Sequence, residues 1–98
     1  ERLASRPLPL MDDLISRVVV MQYLGQYQDS LRILEPLLAE YPQEYRIPMY
    51  MAFACESLSD RYRREQYAKM ALDLYENLPA EKKQWTEGDE IRHLREIR

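Results

Sequence analysis

Apolar and polar positions alternate along this chain with the period of helices. Between residues 10 and 24, Leu10, Leu14, Val18 and Met21 recur every three or four places, which lays one stripe along an amphipathic helix. Asp12 and Asp13 stand in its first turn, where the helix dipole favours acids. Gly25 follows and ends it, because glycine tolerates the positive φ of a helix stop. A second helix is predicted from residues 27–29 to about residue 41, burying Leu31, Leu34, Leu37, Leu38 and Tyr41. Pro36 falls inside it, leaves the carbonyl of Arg32 without its usual donor and predicts a kink; Pro42 marks the stop.

A third helix starts near Ile47, with Pro48 in the first turn, where its missing N–H does no harm. It runs through Met51, Ala52, Cys55 and Leu58 to a turn at Ser59 and Asp60. The fourth covers about residues 61–76 and buries Tyr67 or Ala68, with Ala71, Leu72 and Tyr75; Asn77, Leu78 and Pro79 close it. Residues 80–97 form a last helical stretch with Trp85, Ile91, Leu94 and Ile97 apolar. Gly88 weakens its middle and Thr86 offers a separate cap, so the pattern allows one helix or two. Pro7 and Pro9 make residues 1–9 an extended lead-in.

Composition narrows the class. The chain has 98 residues, 46% of them apolar and only two glycine, enough for one small core and too little glycine for a turn-rich strand fold. The expectation is a single all-α domain over residues 10–98. A net charge of −3 and a pI near 5.2 speak against a nucleic-acid footprint, which needs excess Lys and Arg. The arginines at 61, 63, 64, 92, 95 and 98 are interleaved with Asp60, Glu65, Asp89, Glu90 and Glu96, the pattern of a solvated, ion-paired surface. Cys55 is the only cysteine, so an internal disulfide is impossible and a reducing, cytoplasmic setting is expected. The longest apolar run, residues 14–24, carries Ser16, Arg17 and Gln22 and is too short to span a bilayer. The start at Glu1 and the absence of signal-peptide architecture suggest a piece of a longer protein.

Little here supports catalysis. His93 is the only histidine and sits among Arg92 and Arg95, and Cys55 falls mid-helix on a packing side. Neither has a partner for acid–base or nucleophilic work, and no phosphate loop or metal-ligand spacing occurs. No enzyme activity, cofactor or metal is expected. The eight tyrosines suggest a stacking platform for bases, but several fall at packing places, where the ring packs and the hydroxyl reaches the rim, and that is the stronger reading.

Shifting the chain by about 34 residues pairs Leu24 with Leu58, Leu38 with Leu72 and Tyr41 with Tyr75, and Gly25 with Ser59. Residues 11–44 resemble a tetratricopeptide repeat: Gly25 and Tyr27 match the turn glycine and following aromatic, Ser30 the small residue, Leu34 and Leu37 the packing places, and Pro42 the final proline. Residues 45–78 resemble it more weakly, with Ser59 for the glycine, Arg61 for the aromatic and the proline delayed to Pro79. The resemblance implies a short solenoid of about two helical hairpins, followed by a capping or third-unit helix at about residues 80–97.

It also implies a concave groove lined by the first helix of each unit. The groove places are Asp12, Ile15, Val19, Gln22 and Tyr23 in the first unit, and Arg46, Met49, Phe53, Glu56 and Ser57 in the second. Ile15, Val19, Met49 and Phe53 should form an apolar patch, and burying ~200 Å² of it contributes about 5 kcal/mol. The carboxylate clamp of chaperone-binding relatives has no counterpart, since the matching places hold Ile15, Val19 and Tyr50. The expected function is thus a protein-interaction module that takes an apolar peptide or helix. The alternatives are homodimerisation or intramolecular docking, with the last helix over the groove; RNA reading by helical repeats is disfavoured by the acidity. No nucleic acid and no membrane are expected as partners.

Overall fold

A computed structural model describes residues 7–79 and 88–97, and every regular element in them is helical. The elements are α1 (Pro7–Tyr23), α2 (Tyr27–Glu40), α3 (Arg46–Ser57), α4 (Arg61–Glu76) and α5 (Asp89–Ile97). The expected all-α class is what the chain adopts. The boundaries of α2 and α4 follow from their punctuation. Gly25 takes a φ of +84° between α1 and α2, Pro42 lies two residues beyond α2, and Asp60 caps α4 by accepting a hydrogen bond from the Arg63 backbone N–H.

One expectation, at the N-terminal end, needs correction. Pro7 and Pro9 lie in the first turn of α1 rather than in an extended lead-in. A proline there forfeits only an N–H that has no intrahelical partner. The last helix begins at Asp89, and the expected segment of residues 80–87, with Trp85 and Thr86, lies outside the described residues. Pro36 is inside α2 as expected, on the exposed side of the helix.

The stripe on α1 is also rotated from the predicted one. Met11, Ile15 and Val18 are buried, and Leu14 and Met21 are half-buried. Leu38 and Tyr41 are half-buried too, and at the ambiguous place in α4 it is Ala68 that is enclosed.

The core consists of two clusters that share α3. Met11, Ile15 and Val18 of α1 and Leu31, Leu34 and Leu37 of α2 close around Ile47, Met51, Ala54 and Cys55 of α3. On the other side of α3, Met49 and Ala52 pack with Ala68, Ala71, Leu72 and Tyr75 of α4 and with Ile91, Leu94 and Ile97 of α5. A helix covered on two sides has to be apolar almost all round, which accounts for the run Ile47, Pro48, Met49, Met51, Ala52, Ala54 and Cys55. The small residues at 52, 68 and 71 let the α3 and α4 backbones approach closely. Each hairpin repeats one arrangement: α3 packs on α1 and α2, and α5 packs on α3 and α4.

The two turns repeat to the level of single hydrogen bonds. In the first, Leu24 N–H donates to Val20, Gly25 to Gln22 and Gln26 to Met21, at 3.0, 3.0 and 2.8 Å. In the second, Leu58 donates to Ala54, Ser59 to Glu56 and Asp60 to Cys55, at 3.0, 3.1 and 2.8 Å. These are the same bonds moved along by one repeat, and they satisfy the last carbonyls of α1 and α3 alike. Ser59 adopts a φ of +62°, so a serine occupies the left-handed place that glycine fills in the first turn.

Candidate partner-binding face

The first helices of the hairpins pack together and α5 packs on α3, and of the ten groove residues expected from sequence Asp12, Gln22, Arg46 and Glu56 make contacts between these helices. Asp12 of α1 accepts from Arg46 of α3 at 3.1 Å. These two residues occupy one repeat position in successive units. Arg46 also donates to Glu44 at 2.6 Å, and the two carboxylates raise the guanidinium's already high pKa, Glu44 most of all. At the other end of α1, Gln22 is half-buried, and its amide nitrogen donates to the Tyr50 carbonyl at 2.9 Å and to Ser30 Oγ at 3.2 Å. Ser30 is fully enclosed and donates to the Tyr27 carbonyl at 2.8 Å. On the α5 side, Glu56 Oε1 lies 2.7 Å from His93 Nε2.

The four polar groove residues therefore tie helix to helix. The apolar patch expected between them is only partly open, and its residues divide in two. Ile15 and Met49 are only 6% and 3% exposed and offer a partner nothing. This corrects the expected patch, and the cause differs at each place. Ile15 turns into the first core cluster, because the buried stripe of α1 runs through residues 11, 15 and 18. Met49 is covered because α5 sits against α3 and α4.

Phe53 is half-buried. Its ring centroid lies 5.7 Å from that of Tyr50, edge to face, and 5.4 Å from the His93 ring. Val19 and Tyr23 remain open at 40% and 90% exposure, and Ser57 is exposed as well. Sequence reasoning did not single out Val20 and Leu24, which are 56% and 64% exposed. The signal was an apolar run continuing past the core stripe to the helix end.

Cys55 is enclosed, and burial pushes its thiol pKa up, outweighing the opposite pull of Arg63. A polar cleft of about 190 Å³ opens beside it toward Ser59, Arg61 and Arg64. A second cleft, about 150 Å³, lies between the first turns of α3 and α5, walled by Tyr45, Tyr50 and Tyr75. Burial raises the phenol pKa of Tyr45 and of Tyr50. Among the described residues no group of three His, Cys, Asp or Glu side chains is placed to hold a metal. No helix among them is long and apolar enough to cross a membrane.

No family model matches the chain. Nor does any curated protein or solved structure match it.

Proposed function

We propose that this chain is a protein-interaction module of the tetratricopeptide type that takes an apolar peptide or helix along the α1–α3 face, with Val19, Tyr23 and Phe53 as its contacts. The observation that carries this reading is the turn geometry repeated bond for bond, with Gly25 and Ser59 in the same left-handed conformation. Repeated hairpins align their first helices on one side, and on that side Val19 and Tyr23 keep apolar surface facing solvent. Contiguous exposed apolar surface rimmed by polar side chains marks interaction sites. The same proposal places the chain in the cytoplasm, where a lone buried thiol stays reduced.

A displayed library of 16-residue peptides, selected on the intact chain, tests the reading. Enrichment on the wild type that disappears on Val19→Glu/Tyr23→Glu is expected. Both positions are open to solvent, so the fold should stay intact. Equal enrichment on the two proteins would remove these residues from the binding face.

A second reading rests on the position of α5. It lies over Met49, its Arg95 meets Glu76 of α4 at 2.5 Å, and its His93 meets Glu56 of α3. In this reading α5 is the groove's own ligand, and the domain serves intramolecular docking. Leu94→Ala should then free α5, seen as faster amide exchange over residues 89–97, and raise the number of peptides selected. Faster exchange with no gain in binding would dismiss it.

A further inference from the structure

The two turns share their backbone bonds but differ in the side chains that close them. In the first, Tyr27 packs against the cluster of α1, α2 and α3, and the Gln22 amide donates to Ser30 Oγ at 3.2 Å, so the junction is filled. One repeat later the same places hold Arg61, Glu56 and Arg64. These do not close on one another. Glu56 lies 2.7 Å from His93, and Asp60 accepts from the Arg63 side chain and backbone N–H at 2.7 and 3.2 Å. The cleft of about 190 Å³ walled by Cys55, Glu56, Ser59, Asp60, Arg61 and Arg64 is the result. It has room for more than a single water.

Its two arginines lack acceptors. Arg32, Arg46, Arg63, Arg92 and Arg95 each meet a carboxylate within 2.7 Å. Among the described residues, Arg61 makes no hydrogen bond or ion pair, and Arg64 only approaches Glu65 at 3.8 Å. Arg64 Nε is closed off from solvent and has no hydrogen-bond partner, a costly state for a donor.

We propose that this cleft binds a phosphoryl group, held by the Arg61 and Arg64 guanidinium groups and the Ser59 hydroxyl. Guanidinium forks match oxyanions. One fork satisfies both oxygens of a carboxylate, whereas a phosphoryl group presents three acceptor oxygens, and the cleft offers three separate donor groups. Asp60 already caps α4, so the arginines, not the helix end, carry the site. Glu56 and Asp60 oppose an anion on the same wall. Each has a partner of its own in His93 or Arg63, and their nearness makes the binding weak rather than forbidding it.

An NMR titration of the isotopically labelled whole chain with sodium phosphate at pH 7 and constant ionic strength tests this. Amide shifts confined to residues 55–64 should saturate with a Kd on the order of 1 mM. Arg61→Gln and Arg64→Gln should each weaken binding by about tenfold, with far-UV circular dichroism unchanged. Arg61 is exposed, so its variant reports on binding even where Arg64→Gln disturbs the fold. Arg17→Gln removes an exposed arginine outside the cleft and should leave binding as it is. Phosphoserine titrated in parallel identifies the source: binding as tight as that of phosphate assigns the site to a phosphoryl group carried on a larger molecule, and binding of phosphate alone assigns it to the free ion. Shifts that rise without saturating, equal binding of acetate, or binding indifferent to both cleft variants would overturn the proposal.

Discussion

The matched turns yield a paired prediction with opposite signs. Gly25 has a φ of +84°, and a Cβ built on it meets no atom within 4 Å. Gly25→Ala thus costs nothing in packing, and its whole effect is backbone strain. An L-residue in the left-handed region costs roughly 1–2 kcal/mol. The reduced freedom of the unfolded chain returns about 0.4–1 kcal/mol, which leaves a net loss of about 1 kcal/mol. Ser59 already bears this strain at φ +62°, so Ser59→Gly should run the other way. It removes the strain, gives back unfolded-state entropy and loses no side-chain hydrogen bond in the present geometry. The net gain is about 0.5 kcal/mol.

Since about 1 kcal/mol shifts the midpoint of a domain this size by roughly 4–8 °C, thermal melts followed by circular dichroism resolve both. The loss in Gly25→Ala and the gain in Ser59→Gly should each appear with unchanged urea m-values. A destabilised Ser59→Gly would refute the claim that the two turns share one conformation. So would a Gly25→Ala protein as stable as the wild type.

The remaining expectations concern the joints. Gln22→Leu removes the donor to the Tyr50 carbonyl and should cost about 1–3 kcal/mol, whereas Ser30→Ala, at a place suited to alanine, should stay within about 1 kcal/mol; urea titration of both separates them. Asp60 is held below its ordinary carboxyl pKa of 3.8, first by the hydrogen bond from the Arg63 side chain and then by the one from its backbone N–H. Because the folded pKa is the lower one, the cap stabilises the fold above pH 3.8 and is lost as pH falls through the folded value; melts well below pH 3.8 should therefore differ less between wild type and Asp60→Asn than melts at pH 7. The Cys55 thiol should react with a disulfide reagent only as fast as the protein opens, which stopped-flow absorbance at pH 8 can follow. Immediate reaction would contradict its burial.

The fold was legible wherever one residue does one local job. Gly25, Pro42 and Asp60 mark helix ends by φ, by a missing donor and by a side-chain cap, and those ends lie where they point. Pro7 and Pro9 misled because a proline opening a helix and a proline in an extended segment read alike. The face of α1 was ambiguous because Leu14, Ile15, Val18, Val19, Val20 and Met21 are all apolar. Such a run fits two stripes one residue apart, and the packing of α2 and α3 chose between them.

Groove places were legible as register but not as surface. Asp12 and Arg46 do face each other from equivalent positions, and Gln22 and Glu56 do sit between helices. Whether Met49 is open depends on α5, and no local pattern at residue 49 reports what lands on it from 40 residues further on.

The measurement that bears most directly on the proposed binding face is an NMR titration of the isotopically labelled chain with a peptide from the display selection. Amide shifts concentrated around Val19, Tyr23 and Phe53 are the result predicted here. Shifts concentrated on the outer surface of α4, around Tyr62, Gln66 and Lys69, with the α1–α3 face silent, would contradict it.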